Sequence, residues 1–578
     1  MTDRAWLRSS ARSHTAIALV VAAVIGTLTN WTSQTPYGYN AGYNDHSVLS
    51  LEGLRWADPT KFVNDWFMNA APQPHWFFDL ITYWGQSAGL LSQFYFVYWI
   101  AGLVACGFAT ALIAKKWLPR HPWLGAIAFA IVISLTPWVV VGSASTMIAT
   151  ALPTVVGGQL IYLCLAALLT GRRTLACVAA PLVALVHVQL GAVLIVVLVV
   201  TLVVEYIRTR RADWLLAGST VLTLAIVIFG LWLRPVASNL NDFITICDTI
   251  IPYHCAAQTW GKWKLLASGA FIVLSALTFF YVPRRIRPIW LATIGLAAFG
   301  LLAGMTVNAF TIPVLGRFAQ ATNIYRLAVM LLPFAVWGIL LPVLRLGWDR
   351  KYAALLSVWF VMAALYITCD AWELGPLDVK LPLAVGLLAI TVVTAWAHKR
   401  VRSDPSRRIV ARSGAALFAI VMLLTAALTG GLVVRPLDIT FVPDSGLRAW
   451  GAAVEKIVPS GDIILADSRA QSIRLVTGRA VVADCKNVPY GGKPWREWNE
   501  RINDLGGLDV CLNPANPGIE TFSARHLDRV AAKYHATFMT IEPGQAERVG
   551  AGLQTYGWNK VLDSMPGVSA VLFEHRAD

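Results

Sequence analysis

Long apolar runs recur along most of this chain. The first extends from about Thr15 to Thr29, and only 14% of all residues are charged, whereas soluble domains carry about 25%. A helix needs about 20 apolar residues to cross the hydrocarbon core of a bilayer, so the runs predict a polytopic α-helical membrane protein with about 13 transmembrane helices. The other apolar runs lie at 88–113, 123–141, 154–170, 175–188, 190–206, 214–233, 263–282, 289–306, 325–346, 352–368, 381–397 and 413–433.

The basic residues predict the orientation of these helices. Arg4, Arg8 and Arg12 precede the first apolar run, as in a signal peptide. No small-x-small cleavage site follows, so we expect an uncleaved first helix with its N-terminus inside. That side, with alternate loops, holds 23 basic residues against 9 on the other. Because short cytoplasmic loops gather Lys and Arg, we predict a multi-pass protein of the plasma membrane with its C-terminus outside.

The net charge of +15 belongs to the membrane part. Residues 1–435 hold 32 basic and 15 acidic residues, whereas residues 436–578 hold 15 basic and 17 acidic ones. The positive charge therefore follows the loops between membrane helices and does not form the basic surface of a nucleic-acid-binding domain. We expect membrane lipids as partners and no nucleic acid.

Residues 436–578 form a second predicted domain, which is soluble and extracytoplasmic. Apolar runs typical of short buried strands alternate there with stretches of helical periodicity. This alternation predicts an α/β domain with a mostly parallel sheet. No glycine-rich phosphate loop opens a helix after a strand, so we predict no nucleotide site. The predicted strands are 462–468, 479–485, 536–542 and 568–576, and the predicted helices are 447–458, 494–505 and 524–535.

Two pairs of cysteines lie in segments predicted to be outside. Cys247 and Cys255 share the loop 234–262, and Cys485 and Cys511 share the C-terminal domain. Disulfides form in oxidising compartments, so both pairs are candidate bridges. The cysteines within apolar runs are expected to be small packing residues.

The predicted first outside loop, residues 31–87, is richer in acids and histidines than a simple connector requires. Asp45 lies in the sequence Tyr-Asn-Asp-His, shortly after the first predicted helix. A carboxylate at this place can take a proton from a hydroxyl group, as a general base does. Asp is also a favoured N-cap residue. Asp45 therefore fits equally well as the cap of a helix over residues 47–54.

Two later residues of the same loop are also candidates. Asp65 repeats the Asn-Asp pair, and we expect it to orient a partner of Asp45, to bind substrate hydroxyls, or to hold a metal. The alternative is again a helix cap or a surface turn. His75 precedes Trp76 and Phe77. Aromatic faces can stack on sugar rings, but Trp and Phe also anchor membrane interfaces, and for these two aromatics we favour the interface.

Three polar residues lie at predicted outer helix ends. His187 and Gln189 fall where the runs 175–188 and 190–206 meet. They form either a plain turn or a place where helices line a cavity, and polar groups at membrane depth favour the functional interpretation. His254 lies beside Cys255, where it is either an ordinary loop residue or part of a site.

One arginine lies at the membrane edge on the side that is poor in basic residues. Arg326 opens the run 325–346, and Arg317 and Gln320 precede it. A guanidinium group binds phosphate oxygens with two parallel hydrogen bonds. Arginines also reach out to lipid headgroups without further function. We favour a phosphate ligand at Arg326, with Arg317 as the alternate.

The arrangement resembles the GT-C superfamily of glycosyltransferases. The resemblance rests on the many apolar runs, on Asn44-Asp45-His46 in the first outside loop, and on the outside C-terminal domain. The stretch 474–502 also looks like a segment of uncharacterised bacterial members. The resemblance to the GT-C superfamily implies a GT-C-like domain over 1–435, Asp45 as the base and Asp65 as the second acid. Many members have two adjacent acids, whereas this chain has Asn44 beside Asp45, which leaves open which acid is the base.

The resemblance implies a function as well. We expect an inverting transfer of a sugar from a polyprenyl-phosphate donor to an envelope glycan or lipid on the outer membrane face. His46, His75, His187, Gln189, His254, Arg317, Gln320 and Arg326 would bind the substrates. No cofactor is required, and a divalent metal is compatible with the site. The alternatives are a transporter or flippase of lipid-linked glycan and a non-catalytic envelope assembly protein.

Overall fold

The computed structural model of this chain shows apolar helices, a folded first loop and a C-terminal sheet. The residues that it describes are 39–71, 75–117, 148–233, 240–252, 282–309, 437–513 and 515–576, with scattered residues between them. The predicted sites at His254, Arg317, Gln320 and Arg326 lie outside the described residues, as does Cys255.

Four described helices are long and apolar enough to cross a membrane: α5 (Leu91–Trp117), α6 (Pro153–Thr170), α8 (Val188–Thr209) and α9 (Trp214–Leu233). Their bounds lie within four residues of the predicted segments at every end. The shorter helix α7 follows α6, and α11 covers another predicted segment. Six of the predicted segments fall wholly or largely outside the described residues and the first is described in part, so the number of spans and their sidedness stay predictions. The helices are α5 (Leu91–Trp117), α6 (Pro153–Thr170), α7 (Arg173–Val186), α8 (Val188–Thr209), α9 (Trp214–Leu233) and α11 (Arg287–Ala309).

Local sequence signals explain the ends of these helices. Helix α6 begins at Pro153, whose fixed φ suits a first helical turn, and Gly171 follows its end with a φ of 76°. Helices α7 and α8 join at the extended residue His187. They approach closely because Gly191 has no side chain, and a Cβ there would lie 2.6 Å from the Cα of Ala184.

The first loop is a folded unit rather than a connector. Helix α2 (Leu51–Ala57) packs on helix α4 (Trp76–Ser87). The apolar side chains between them belong to a core that includes Tyr95 and Trp99 of α5. The same core contains Val442 and Leu475 of the C-terminal region. The loop is thus held by burial on both sides. Its helices are α1 (His46–Leu49), α2 (Leu51–Ala57), α3 (Trp66–Ala70) and α4 (Trp76–Ser87).

The C-terminal region contains a five-stranded sheet in the order β2-β1-β3-β5-β4. Strand β1 pairs in parallel with β2 and β3, whereas β5 pairs antiparallel with β3 and β4. The prediction of a mostly parallel sheet is therefore wrong, since half of the pairings are antiparallel. The strands are β1 (Ile463–Leu465), β2 (Ala480–Val481), β3 (Ala536–Ile541), β4 (Trp558–Leu562) and β5 (Val571–His575).

Helices cover both faces of this sheet. Trp450 and Val454 of α12 pack on one face with Ile464 and Phe538. Side chains of α14 and α16 pack on the other face, together with Ile246 and Ile250 at the end of α10. The helices are α10 (Leu240–Thr249), α12 (Ser445–Ile457), α13 (Ile473–Thr477), α14 (Gly492–Asp504), α15 (Asp509–Leu512), a 3-10 helix (Gly518–Thr521), α16 (Ala524–Lys533) and α17 (Pro543–Gln554).

Disulfide-bonded cysteines lie outside the long apolar helices. Cys485 and Cys511 are bonded, with their Cα atoms 5.3 Å apart. Cys247 in α10 is also disulfide-bonded. Cys106, Cys164 and Cys177 are buried in the helices and form no disulfide.

Candidate active site

Asp45 lies at the start of α1 and carries the most accessible carboxylate among the predicted site residues. It occupies the N-cap position, but its side chain makes no capping hydrogen bond. Its Oδ1 lies 2.7 Å from the Nζ of Lys486 in the C-terminal region, and 45% of the side chain is exposed. The predicted capping role therefore does not describe what this carboxylate does.

The residue before Asp45 has an unusual backbone conformation. Asn44 has a φ of 50°, in the left-handed region that Asn tolerates better than most residues. Its carbonyl accepts a hydrogen bond of 2.7 Å from the hydroxyl of Ser47. The turn that presents Asp45 thus suits a short polar side chain at position 44, a condition that Asn and Asp both meet.

His46 is turned away from solvent. Its ring is fully buried, and its Nδ1 lies 3.0 Å from the hydroxyl of Ser50. Tyr95 donates a hydrogen bond of 2.8 Å to the same hydroxyl. Burial lowers the pKa of His46 to about 4, against the opposing charge of Asp45. His46 is therefore neutral at physiological pH, and its buried ring packs beneath the turn through its contact with Ser50.

A histidine pair lies where the first loop meets the membrane helices. The rings of His75 and His187 are 4.9 Å apart between centroids. Burial lowers the pKa of His75 to about 4, and the charge of Asp45 acts on it in the opposite direction. Asp45 and His75 therefore interact electrostatically. The Nδ1 of His187 accepts from the backbone N–H of Leu190 at 3.3 Å, so a neutral ring carries its proton on Nε2.

Gln189 does not join this pair. Its side chain is exposed on α8, whereas that of His187 is buried. The two residues are close in sequence, but the helix that begins at Val188 turns them to different faces.

Asp65 has a different environment from Asp45. It is fully buried and caps α3, since its Oδ1 accepts from the N–H of Met68 at 3.1 Å. Its Oδ2 accepts from the Nε of Arg474 at 2.8 Å. The same guanidinium binds Asp484 through Nη1. Asp65 therefore belongs to a buried ion triad that joins the first loop to the C-terminal region.

The segment after β2 carries groups that no sequence signal singled out. The Oδ1 of Asp484 accepts the backbone N–H groups of Lys486 at 2.9 Å and Asn487 at 2.8 Å. The amide of Asn487 reaches the carbonyl of Ser47 at 3.4 Å, across 440 positions of sequence. Lys486 lies within the stretch 474–502 that carries the family resemblance, but nothing in its spacing connects it to Asp45.

Two observations bear on metal binding near Asp45. Among the described residues, no group of three or more His, Cys, Asp or Glu side chains could hold an ion. The ammonium group of Lys486 also lies at hydrogen-bonding distance from Asp45, where it would repel a divalent cation.

Comparisons with known proteins give a matching family model and similar solved structures. Residues 447–505 match DUF6798, a domain of unknown function, and this span contains Arg474, Asp484 and Lys486. No curated protein matches the chain. ArnT from Cupriavidus metallidurans in the apo state is similar, with 14% identity, 98% of this chain and 99% of that chain covered, and a TM-score of 0.41. The same protein bound to undecaprenyl phosphate has 16% identity, 98% coverage of both chains and a TM-score of 0.41.

Proposed function

We propose that this chain is an inverting glycosyltransferase of the plasma membrane. It moves a sugar from a polyprenyl-phosphate donor to a glycan or lipid acceptor of the cell envelope, at the outer face. The observation that carries the proposal is the environment of Asp45. This carboxylate is accessible, lies at the start of a helix in the folded first loop, and forms an ion pair with Lys486, and its charge acts on His75.

The proposed reaction is a single displacement at the anomeric carbon. Asp45 takes the proton of the acceptor hydroxyl, and the acceptor oxygen forms the new bond to that carbon. The bond from the carbon to the phosphate oxygen breaks, and its electron pair leaves with the polyprenyl phosphate. Because the acceptor enters opposite the leaving group, the configuration inverts.

The remaining candidates bind the two substrates in this proposal. Arg326, with Arg317 as the alternate, binds the phosphate of the donor through its guanidinium fork. His75 and His187 offer neutral imidazoles to sugar hydroxyls, since burial keeps His75 unprotonated at physiological pH. Gln189, His254 and Gln320 are proposed as further polar contacts of the substrates.

We assign the base to Asp45 and an anchoring role to Asp65. A general base needs hydrogen-bonding access to the hydroxyl that it deprotonates. Asp65 is fully buried and is bound by Arg474 and by the backbone of α3. Asp45 has 45% of its side chain exposed.

The test is transfer in reconstituted vesicles. Purified protein is supplied with a radiolabelled polyprenyl-phosphate sugar and with envelope lipids or glycans as acceptors. Label transferred to an acceptor supports the proposal. Movement of the labelled lipid across the bilayer without transfer would instead identify a flippase. If label is neither transferred nor moved across the bilayer, the protein is a non-catalytic assembly protein.

A further inference from the structure

We infer that the C-terminal region completes the active site by supplying Lys486 as a positioning residue for Asp45. The inference rests on the proposed function and deepens it. The ion pair of 2.7 Å between Lys486 and Asp45 joins two segments that are distant in sequence. We define residues 484–487 as the clamp segment, because they hold Lys486 in place.

The clamp segment is fixed within the C-terminal region. The carboxylate of Asp484 binds the backbone N–H groups of Lys486 and Asn487. The carbonyl of Asp484 accepts a hydrogen bond of 2.9 Å from the indole of Trp498. Cys485 is tied to Cys511 by the disulfide. The backbone of Lys486 is therefore held by a covalent bond and by buried polar contacts on either side.

The clamp segment is also fixed to the first loop. Arg474 lies between Asp484 and Asp65 and binds both carboxylates with its side chain fully buried. Asn487 is buried too, and its amide reaches the carbonyl of Ser47 in α1. The first loop, which carries Asp45, and the clamp segment, which carries Lys486, are therefore joined by the buried ion triad and by the hydrogen bond of Asn487.

Stability alone explains this arrangement poorly. The side chains of Lys486 and Asp45 are 24% and 45% exposed, and ion pairs in such surroundings contribute little to stability. The buried triad already joins the two regions. What the exposed pair adds is a defined position for one carboxylate oxygen of Asp45.

This position suits a base that must be aimed at one hydroxyl. A carboxylate held on one side by an ammonium group has fewer rotamers available, while its exposure lets an acceptor approach. Displacing a catalytic group by 1 Å can cost about a hundredfold in rate. Lys486 thus acts through Asp45 and is expected to affect the chemical step more than donor binding.

The test compares Lys486→Met, Lys486→Arg and the control Lys493→Met in the vesicle assay. Lys493 is exposed on α14, in the same region of the chain. For Lys486→Met we expect kcat to fall about ten- to hundredfold with the donor KM nearly unchanged. Arginine should restore most of the rate, and the control should match wild type. Melting temperatures of all variants report folding, and Lys486→Gln replaces the Met variant should that one be unstable.

A double variant separates the positioning role from an independent one. If Lys486 acts through Asp45, adding Lys486→Met to Asp45→Asn lowers the rate little further. Additive losses, an unchanged kcat, or a rise in donor KM alone would overturn the role of Lys486 while the proposed function stands. A wild-type protein that transfers no sugar would overturn both.

Discussion

The Nε of Arg474 lies 2.8 Å from the Oδ2 of Asp65, and both side chains are completely buried. Arg474 comes from α13 and Asp65 from the first loop, so one guanidinium joins parts of the chain that are separated by 409 positions. Asp484 binds the same guanidinium. This contact explains how an apolar helical region and a mixed α/β region share one site.

Removal of the guanidinium should destabilise the protein strongly. The substitution Arg474→Met leaves two carboxylates, Asp65 and Asp484, buried without their partner. Breaking a buried ion pair in this way costs about 3–5 kcal/mol. Thermal or denaturant unfolding in detergent measures the loss. Arg496→Met is the matched control, because Arg496 is 67% exposed and should change stability by less than about 1 kcal/mol. Equal effects of the two substitutions would contradict the anchoring role.

The base assignment predicts a large loss of rate at one position. Asp45→Asn should lower the transfer rate about 10²–10⁴-fold, which is the usual contribution of a general base. Asp58→Asn is the control, since Asp58 lies in the same loop and binds only Thr60 with its side chain among the described contacts. The vesicle assay measures both. A rate for Asp45→Asn within about threefold of wild type would remove Asp45 from this role.

The disulfide should support both stability and transfer. The bond between Cys485 and Cys511 closes a segment of 26 residues, and cross-links of this size contribute about 3 kcal/mol. The double variant Cys485→Ser, Cys511→Ser should therefore melt earlier and transfer sugar more slowly, because the clamp segment loses its covalent tie. Reductant should have a similar effect on wild type and a smaller effect on the variant, which keeps the disulfide of Cys247. An active wild-type protein that is indifferent to reductant would contradict this.

His75 should make the protein sensitive to acid. Its pKa is about 4 in the folded state and about 6.5 in an unfolded chain. The unfolded state therefore binds the proton more readily, and stability falls as the pH decreases from about 6.5 to about 4, with no further loss from this group below that. His75→Gln should remove part of the loss, on the order of 3 kcal/mol.

Unfolding measured at several pH values checks this expectation for His75. His46 has a similarly low pKa and should retain its own share of the acid sensitivity in the variant. His526→Gln is the control, because His526 lies on the solvent side of α16 in the C-terminal region. A stability profile of His75→Gln that runs parallel to that of wild type would argue against the lowered pKa of His75.

The sequence by itself determined the features that depend on neighbouring residues. The bounds of α5, α6, α8 and α9 follow from the lengths of their apolar runs, because unpaired backbone groups and charges are costly in hydrocarbon. The end of α6 at Gly171 follows from the freedom of glycine to adopt a positive φ. Strands β1, β3 and β5 were predicted because each is an apolar run whose residues are largely buried.

Strand β4 was not predicted, because it lacks the apolar run that marks the other strands. It lies at the edge of the sheet, and Asn559 and Lys560 within it are exposed. An edge strand with a solvated face needs no continuous apolar run. Without β4, the alternation of strands and helices predicts a parallel sheet, and the antiparallel pairs on that side of β3 could not be foreseen.

Only the tertiary structure decided which polar residues share a site. Asp45 and Asp65 have the same neighbour in sequence and lie in the same loop, yet one is accessible and the other is buried against Arg474. The difference arises from long-range packing of the C-terminal region onto the loop. Lys486 reaches Asp45 by the same packing, and no spacing in the sequence records it. Local hydrophobicity specifies helices, whereas pairing of buried charges depends on the fold that brings them together.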